Sequence, residues 1–594
     1  MNRALPVAAL VLAAVIAFFL WLPQPAPPRP ADWAAQEGNS FVVRGARVFD
    51  GEHFHERLDV LVRDGLIAGM GRDVAGNQAA PKYEAAGHTL MPALIDAHTH
   101  NFGDSRIEAL CFGIGTQIDL FSDHRALAAA RADRESLARI AQADMWSAGT
   151  LVTAPGGHGT QFGMTIPTLA SAAEAEAFVA ARIAEGSDFI KLVLESGAGW
   201  EAEIPTLDAA TLAAAIAAAH RQSRKAVVHA GSHEEARIAL AAGADGLVHA
   251  FGDRVADEAL VALAAARGVF IVPTLTVMES VAGRGHALAE DADLKPWLAP
   301  GQIQSLKRRF RSGDKHLAAI ENARETTRRF AGAGLRILAG SDAPNPGTTH
   351  GASLHRELEL LARAGLKPEQ LLASATRLPA QAFGIADRGR IAPGLRADLL
   401  LVEGDPALDV RRTRNIAAIW KNGYRVERPR QNSAAPAAAA ALANPELGQF
   451  ESGDDGWAPT TDRMMGGASD VAIRTADGAL VIEAEVAAGA FWPWAGAMRM
   501  FAPQPMEPVD LGAYSELRLR LRARGTLQVF FFSGPETRGP PATHAVTGSG
   551  DWQEVVIRLA DVSGFDRATA RAIAVAAGPA PGALRIELDS VVLR

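Results

Sequence analysis

The sequence predicts a multidomain chain in which a (β/α)8 TIM barrel accompanies a composite β-sandwich and precedes an all-β domain. Three observations support this fold class. Short apolar runs alternate with alanine-rich helical stretches in the middle of the chain, strand-and-turn patterns flank that region, and Trp, Phe, Gly and Pro become more frequent near the C-terminus. The expected domains are the composite sandwich at 41–90 and 385–428, the barrel at 91–384, a linker at 429–446 and the all-β domain at 447–594.

The central region has the rhythm of a (β/α)8 barrel. Eight strand–helix units over about 290 residues give the size expected for that fold. A doubly wound open sheet is the alternative, but no Gly-rich dinucleotide fingerprint supports it. The expected strands are Leu94–His100, Gly115–Phe121, Thr150–Ala154, Asp188–Leu194, Lys225–Ala230, Gly246–Ala250, Val269–Leu275 and Arg336–Ser341, and the expected helices include Ser171–Glu185, Ala209–Arg221, His233–Ala242 and Asp257–Arg267.

Short alternating strands flank the barrel region on both sides. Between Phe41 and His88, Asp-Gly pairs mark tight turns between strands. A similar strand-and-turn pattern returns between Arg390 and Val426. We expect the two segments to pair into one sandwich, although the whole barrel region separates them in sequence.

The apolar run that begins at Met91 ends in two histidines one residue apart, His98 and His100. Side chains alternate between the two faces of a strand, so both imidazoles point to the same side and can bind one metal ion. Asp96 shares that face, and we expect it to support the pair rather than to act on substrate. For this motif alone, the alternative is a pair of surface histidines at a strand end.

Four further polar residues lie within or at the ends of expected barrel strands: Lys191, His229, His249 and Asp342. Each has a structural explanation by itself, because the lysine could pair with Glu195, each histidine could be a hydrogen-bonded core residue and the aspartate could cap a helix. A buried lysine could also be a Schiff-base nucleophile or a carbamate that bridges two metals. Together the four favour an active site, because catalytic groups of such barrels come from the C-terminal strand ends.

The order His-x-His, Lys, His, His, Asp resembles the amidohydrolase superfamily, in the branch of imidazolonepropionase-related and Xaa-Pro-dipeptidase-like enzymes. Three later segments support this resemblance, namely 351–358 (GASLHREL), 375–380 (ATRLPA) and 389–399 (GRIAPGLRADL). The resemblance extends from Phe41 to Val426. It implies a barrel beside a composite β-sandwich and a metal-dependent hydrolase that acts on carbon–nitrogen bonds.

The resemblance also implies two divalent metal ions, with zinc as the expected metal. The implied ligands are His98, His100 and Asp342 for the more buried ion, His229 and His249 for the second ion, and carboxylated Lys191 as a bridge between them. A hydroxide that bridges the metals would attack the substrate, and Asp342 would act as general acid and base toward the leaving nitrogen. The implied reaction is hydrolysis of an amide-type C–N bond in a small-molecule amide, lactam or dipeptide-like substrate.

Three more histidines are candidate substrate contacts: His158, His233 and His350. His158 lies in a Gly-Gly-His-Gly loop that resembles a loop of related enzymes, and His350 lies in the loop after the last barrel strand. A structural role is the alternative for each of these loop histidines. Prolidase-like relatives commonly carry a tyrosine just past the histidine of the fifth strand, and Gly231 stands there in this chain.

Composition excludes several other classes of protein and site. The net charge of −8 and the lack of a dense basic stripe argue against nucleic-acid binding. Cys111 is the only cysteine, so neither an intrachain disulfide framework nor a zinc site of paired thiolates can form. Histidine, carboxylate or modified lysine must therefore hold any bound metal.

The N-terminus carries an uninterrupted apolar run at residues 4–22, preceded by Arg3 and long enough to span a bilayer. The following proline-rich stretch has no clean small-residue cleavage site, so an uncleaved inner-membrane anchor is favoured over a cleaved secretory signal. The positive N-terminal end is expected to stay in the cytoplasm, which would place the rest of the chain in a periplasm. Residues 23–40 would then act as a stiff spacer.

The C-terminal segment carries Trp457 and the sequence DRMMGGAS at 462–469, which resemble the opening motif of the complex I intermediate-associated protein family. That resemblance covers 447–594 and implies a jelly roll of the galactose-binding type. The aromatic cluster FWPW at 491–494 could bind a carbohydrate or protein ligand, although an aromatic core or a barrel interface is favoured. We see no acid–base constellation there, so binding or packing is the expected role.

Three alternatives to a binuclear hydrolase stay open. A mononuclear deaminase of the same superfamily would bind one metal and release ammonia. A Schiff-base aldolase would use Lys191 but would leave five metal-suited residues without a role. An inactive, membrane-tethered binding protein would use the β-domain to recruit a partner, and its candidate metal ligands would have no catalytic role.

Overall fold

The computed structural model describes residues 38–74, 76, 80–160, 166–198, 203–284, 286–308, 310, 317–428, 440–442, 444–451, 453–462, 469–487, 493–502, 508–533 and 541–594. The expected membrane segment, most of the spacer and linker, and residues 463–468 and 491–492 of the C-terminal motifs lie outside these ranges. Among the described residues, no helix combines the length and the apolar character needed to cross a bilayer. The described residues divide into two compact units, one up to residue 428 and the other from residue 440 onward.

The first unit contains two kinds of sheet together with the helices. Its strands are β1 Phe41–Phe49, β2 Phe54–Arg63, β3 Leu66–Gly71, β4 Lys82–Glu84, β5 His88–Pro92, β6 Leu94–Thr99, β7 Ile114–Asp119, β8 Asp144–Ser147, β9 Ile190–Leu194, β10 Ala226–Ala230, β11 Gly246–Val248, β12 Phe270–Val272, β13 Arg336–Ile337, β14 Leu399–Glu403, β15 Ile416–Lys421 and β16 Tyr424–Arg425. Its helices are α1 Ser105–Cys111, α2 Leu127–Glu135, α3 Ala175–Ala184, α4 Ala209–Arg221, α5 His233–Ala242, α6 Glu258–Arg267, α7 Leu275–Val281, α8 Pro300–Lys307, α9 Leu317–Gly332, α10 Ala352–Arg363, α11 Pro368–Ser374 and α12 Arg377–Ala382.

The strands that flank the barrel form one mixed sheet in the order β16-β15-β14-β5-β1-β2-β3, with β4 beside β1. The two segments meet where β14 pairs with β5 in antiparallel fashion, with Leu401 opposite Leu90. The ring of Phe41 in β1 stacks on that of Trp420 in β15 at 4.9 Å, although β5 and β14 separate these strands in the sheet. The flanking domain is therefore a single sheet that curls over its own apolar core.

The barrel consists of the parallel strands β6 to β13. Neighbouring strands pair in chain order through β6, β7 and β8 and again through β9 to β13. Two parallel bridges join these groups, Val152 with Leu192 and Thr99 with Ala343. The second bridge connects the first strand to the chain just after the last strand. The sheet thus closes on itself, as a (β/α)8 barrel requires.

The third barrel strand differs from the prediction, because it comprises Asp144–Ser147 rather than Thr150–Ala154. Gly149 interrupts the strand with φ of +60°, a left-handed conformation that glycine adopts without steric cost. Beyond this break, Val152 N donates to Lys191 O at 2.8 Å. The predicted segment therefore still reaches the fourth strand, but through a bridge instead of a continuous ladder.

Polar side chains determine where several barrel helices begin. Asp208, Ser232 and Asp257 each accept a hydrogen bond from a backbone N–H in the first turn of α4, α5 and α6. Such caps satisfy N–H groups that have no partner within the helix. These three helices begin within one residue of the predicted positions. Only α5 follows its strand after a short loop, because β10 ends at Ala230 and α5 begins at His233.

A buried network of charges connects the curled sheet to the start of the third barrel strand. The ammonium group of Lys421 is fully buried, and its Nζ lies 2.8 Å from Asp144 Oδ2 and 3.0 Å from Asp398 Oδ2. Asn422 Oδ1 accepts a further hydrogen bond from it at 2.9 Å. The guanidinium of Arg388 also contacts Asp144, at 2.7 Å. Each buried charge therefore faces at least one opposite charge.

The second unit is an all-β domain, as the sequence predicts. Its described strands are β17 Ala440–Ala441, β18 Glu446–Gly448, β19 Trp457–Thr461, β20 Asp470–Ala476, β21 Ala479–Val486, β22 Ala495–Met500, β23 Val509–Asp510, β24 Glu516–Ser533, β25 Ala542–Ser549, β26 Gln553–Arg558, β27 Ala570–Ala577 and β28 Gly582–Leu593. The long strand β24 pairs with β26 and β28 in its first half and with β25 and β27 in its second half, always antiparallel. The more specific jelly-roll assignment stays a prediction.

We predict that Lys421→Ala destabilises the first unit by about 3–5 kcal/mol, because it leaves two buried carboxylates without their shared cation. The control is Arg237→Ala, which removes an exposed ion pair with Glu234 and should cost less than about 1 kcal/mol. Urea unfolding followed by tryptophan fluorescence measures both. Equal unfolding midpoints for the two variants would contradict the structural role of the network.

Candidate metal centre at the mouth of the barrel

Residues with unusual backbone conformation follow the sixth, seventh and eighth barrel strands. His249, Thr274 and Asp342 have φ of 73°, 51° and 52°. Non-glycine residues rarely adopt this left-handed conformation, which costs on the order of 1–3 kcal/mol at each position. Strain at three successive strand ends indicates that the surrounding packing holds these side chains in place at one mouth of the barrel.

Asp342 is the residue on which the strand-one histidines converge. Its Oδ1 lies 3.1 Å from His98 Nε2 and 3.0 Å from His100 Nε2. Its Oδ2 lies 3.9 Å from His249 Nδ1. The ligand atoms that His98, His249 and Asp342 offer lie within 4.8 Å of one another. These three side chains could therefore hold a metal ion.

The imidazole rings form a continuous cluster across the barrel. Ring centroids lie 5.2 Å apart for His98 and His100 and 4.9 Å apart for His98 and His249. The cluster continues from His249 to His229 at 4.4 Å and from His229 to His158 at 5.1 Å. The chain supplies these rings from the first, fifth and sixth strands and from the loop after the third, so only the closed barrel brings them together.

Burial keeps three rings of this cluster neutral, those of His98, His229 and His249. Burial, followed by the positive charge of Lys191, holds the pKa of His98 well below its usual range and lowers the pKa of His229 to about 3. Burial and the neighbouring ring of His229 likewise hold the pKa of His249 well below its usual range. A histidine binds a metal only through the lone pair of a deprotonated nitrogen. At neutral pH these rings are therefore already in the form that a metal requires.

Lys191 lies in the fourth strand, and its charge acts on the rings of this cluster. The residue is only 3% exposed, and burial lowers its pKa to about 7, while the charge of Asp342 acts in the opposite direction. Its charge in turn contributes to the lowered pKa of His98, His229 and His249. A lysine with a pKa near 7 has a large neutral fraction at physiological pH. The amine is thus available as a nucleophile.

Asp96 ties the first barrel strand to the last, directly beside the candidate ligands. Its Oδ1 accepts from Ser341 N at 2.9 Å and from His98 N at 3.2 Å, and its Oδ2 accepts from Ser341 Oγ at 2.6 Å. Burial raises the pKa of Asp96 to about 7, whereas the bonds from Ser341 lower it. The carboxyl therefore positions His98 and Asp342 relative to each other, as its place on the histidine face suggests.

Two rings of the cluster each have a side-chain oxygen within hydrogen-bond distance of one ring nitrogen. Glu195 Oε2 lies 3.2 Å from His229 Nε2, and Thr274 Oγ1 lies 2.8 Å from His249 Nδ1. A hydrogen bond at one ring nitrogen determines which nitrogen stays free to bind a metal. Metal-binding histidines usually carry such a partner.

The three candidate substrate histidines have different surroundings. His158 packs against His229, and burial lowers its pKa to about 3. Burial also lowers the pKa of His350 to about 3, with a further contribution from His100, and its Nδ1 lies 3.0 Å from Gln117 Nε2. His233 begins α5 and turns toward the loop after the sixth strand, where its ring contacts other residues. The ring centroids of His233 and Phe251 lie 5.5 Å apart. His233 Nδ1 lies 3.0 Å from Arg254 Nη2, and its Nε2 lies 3.4 Å from Asp257 Oδ2.

The residues present fit a metal ion. His98 is 1% exposed, and among the described residues neither of its ring nitrogens has a hydrogen-bond partner, since the short approach to Asp342 lacks the geometry of such a bond. Buried polar atoms without a partner are rare in folded proteins. Histidine nitrogens and carboxylate oxygens are the donors that zinc and related divalent ions take in the absence of thiolates.

Three contacts of the site were not expected from the sequence. Thr274, Glu195 and Gln117 each bond to a histidine that was itself a candidate. A signal existed for two of them. Thr274 is the polar residue near the end of the seventh expected strand, and Glu195 shares a strand face with Lys191 because it lies four residues later. The sequence gives no comparable signal for Gln117.

A model of the amidohydrolase family matches residues 89–426, which is more than half of the chain. Among curated proteins, the dihydroorotase of Mycobacterium tuberculosis is 48% identical over 61 residues, which are 10% of this chain and 14% of that protein. The imidazolonepropionase of Streptomyces griseus subsp. griseus is 28% identical over 186 residues, which are 29% of this chain and 46% of that protein. The matched stretch is thus less than half of the length of either relative.

The solved structure of a Xaa-Pro dipeptidase with bound methionine in its active site aligns with 65% of this chain and 100% of that chain. The TM-score is 0.53 and the sequence identity is 20%. At this identity the likeness shows a shared fold and nothing about substrate. It agrees with the closed barrel and its flanking sheet.

We predict that Ser341→Ala weakens zinc binding and destabilises the first unit by about 1–3 kcal/mol, because a buried carboxyl loses its hydroxyl donor. The matched control is Ser374→Ala, whose equally buried hydroxyl donates within its own helix to Leu371 O at 2.6 Å. Thermal unfolding and zinc titration against a chromophoric chelator measure the two effects. The prediction is wrong if both variants bind zinc with the affinity of the unmodified chain.

Proposed function

Because this chain belongs to the amidohydrolase family, we propose that it hydrolyses an amide-type carbon–nitrogen bond with the help of two divalent metal ions, with zinc expected. The observation that carries this proposal is the convergence of His98 and His100 on one carboxylate oxygen of Asp342 at 3.1 and 3.0 Å. The proposed ligands are His98, His100, Lys191, His229, His249 and Asp342.

Lys191 is the proposed bridge between the two ions. A free ammonium at this position would repel both cations, whereas a carbamate would bind them. The neutral amine, which its pKa of about 7 makes accessible, adds carbon dioxide with formation of an N–C bond and release of one proton. Burial at 3% exposure would protect the carbamate from solvent. The product would offer carboxylate oxygens with which to hold the ions.

When bound, divalent cations supply Lewis acidity, which lowers the pKa of water and polarises a carbonyl group. The chain itself would move the proton. The Oδ1 atom of Asp342 lies beside both strand-one histidines, and its Oδ2 atom lies on the side of His249. Its carboxylate would accept the proton of the attacking water and then donate it to the leaving nitrogen. Asp96 and Ser341 would hold it in the orientation that both transfers need.

We propose a small-molecule amide, lactam or dipeptide-like substrate. The matched relatives are a dihydroorotase and an imidazolonepropionase, and the barrel resembles that of a Xaa-Pro dipeptidase. His158 is the neutral side chain next to the second set of ligands, so it is the better placed of the candidate substrate contacts. His233, which packs on Arg254 and Asp257, has contacts of a structural kind.

Export and membrane attachment are further proposals, and they rest on the apolar run at residues 4–22 alone. A periplasmic enzyme with an uncleaved anchor would be recovered in the membrane fraction, and a cleaved signal would release it. A carbohydrate or protein ligand for the C-terminal domain likewise rests on the sequence motif.

We predict that Asp342→Asn lowers the rate of hydrolysis by at least about a hundredfold, because the amide cannot take up and return the proton. The assay uses the metal-loaded full chain against N-acyl amino acids, dipeptides and lactams, with metal content measured in parallel. Lys225→Ala, which changes a half-exposed lysine at the base of the fifth strand, is the control and should retain full activity.

The metal content separates the competing functions. Two metal ions per chain, reduced by Lys191→Ala, support the binuclear hydrolase. One metal ion together with release of ammonia favours the mononuclear deaminase. An unmodified chain that binds no divalent metal at stoichiometric levels overturns the proposal.

A further inference from the structure

Glu195 is a buried carboxylate beside a proposed metal ligand and has no part in the mechanism described above. It follows the end of the fourth strand and is only 4% exposed. Its Oε2 lies 3.2 Å from His229 Nε2, and its Oε1 accepts from Gly197 N at 2.7 Å. Thr206 Oγ1 accepts a hydrogen bond from its backbone N–H at 2.9 Å. Both carboxylate oxygens and the backbone are thus held in place.

Gly231 provides the space that this carboxylate occupies. A Cβ atom built on Gly231 would lie 2.0 Å from Glu195 Oε2 and 2.7 Å from Oε1, distances that real atoms do not show. The strand register explains the contact, because Leu194 lies opposite Ala230 and the next residues along both strands are Glu195 and Gly231. Any side chain at position 231 would push the carboxylate away from His229.

The contact assigns the proton of the His229 ring. A carboxylate oxygen accepts hydrogen bonds, so a hydrogen bond from His229 to Glu195 Oε2 places the ring proton on Nε2. A neutral imidazole carries one N–H, and its Nδ1 therefore keeps the lone pair. In metal sites generally, a carboxylate on the second nitrogen orients the ring and increases its basicity.

We propose that Glu195 is a positioning residue, which fixes His229 in the tautomer that binds metal through Nδ1, and that Gly231 exists as glycine to admit it. This inference rests on the proposed function, since it presumes a metal at His229. The competing possibility is that Glu195 Oε2 itself binds the metal together with His229 Nε2. Two contacts favour the positioning role. Glu195 Oε2 lies at hydrogen-bond distance from His229 Nε2, and Glu195 Oε1 accepts a separate hydrogen bond from Gly197 N.

The test measures zinc affinity of the full chain by competition with a chromophoric chelator. We expect Glu195→Gln to weaken one of the two zinc sites, the one that includes His229, by 10–100-fold, as substitutions of such partners do. Gly231→Ala should weaken the same site to a similar extent, because its Cβ displaces the carboxylate. The double variant Glu195→Ala with Gly231→Ala should bind no more weakly than Glu195→Ala alone, since both changes break one contact.

Glu235→Gln is the matched control. Glu235 is buried to the same degree at 5% exposure and accepts from Ser196 N at 2.7 Å and Ser232 Oγ at 3.0 Å, yet its partners are not histidines. It should therefore alter stability without altering zinc affinity. If Glu195→Gln and Glu235→Gln change zinc affinity equally, the role of Glu195 is structural and the inference is overturned.

A crystal structure of the zinc-loaded chain identifies the bound nitrogen. Zinc at about 2.0–2.1 Å from His229 Nδ1, with Glu195 on Nε2, supports the inference. Zinc bonded to Glu195 Oε2 overturns it. Two zinc ions in the unmodified chain with unchanged affinity in the Glu195 and Gly231 variants overturn the inference alone, whereas no zinc uptake by the unmodified chain overturns the proposed function as well.

Discussion

The closure of the barrel between its first and last strands is the constraint on which the rest of the site depends. The strand-one histidines and Asp342 are separated by more than 240 positions in sequence, and they meet across that seam, where Asp96 accepts two hydrogen bonds from Ser341. The same seam carries the backbone bond from Asp342 N to His98 O at 2.8 Å. A shift of one residue in this register would turn the carboxylate away from the imidazoles.

Burial of several imidazoles in one volume has an energetic cost that a metal would remove. Burial lowers the pKa of His98, His229 and His249 and so favours their neutral forms, and each neutral ring must then find a partner for its lone pair. Glu195 and Thr274 each occupy one nitrogen of a neighbouring ring. His98 instead keeps both nitrogens without a hydrogen bond among the described residues. The pattern is that of a site built for a cation, with strained strand ends at His249 and Asp342 as part of its cost.

Much of the fold could be predicted, and candidate metal ligands could be proposed, because the signals for both are local in sequence. The barrel rhythm follows from apolar runs and helical spacing, and Asp208, Ser232 and Asp257 cap helices that begin within one residue of expectation. The candidate metal residues stand out in the sequence because each is a polar residue within or at the end of an apolar strand, where barrels carry their catalytic groups. The third strand was misplaced, since a glycine-linked break at Gly149 divides it and leaves no periodic signal.

By itself, the sequence determined the order of strands and helices, the two-part composition of the chain and the identity of the residues suited to bind metal, because side-chain periodicity and polarity act over a few residues. Only the tertiary structure decided which of them meet. It brought Lys191 to the histidine cluster, turned His233 toward Arg254 instead, and set Glu195 against His229 in the space above Gly231. Such contacts depend on strand register, which joins residues that are far apart in sequence and therefore cannot be taken from local pattern.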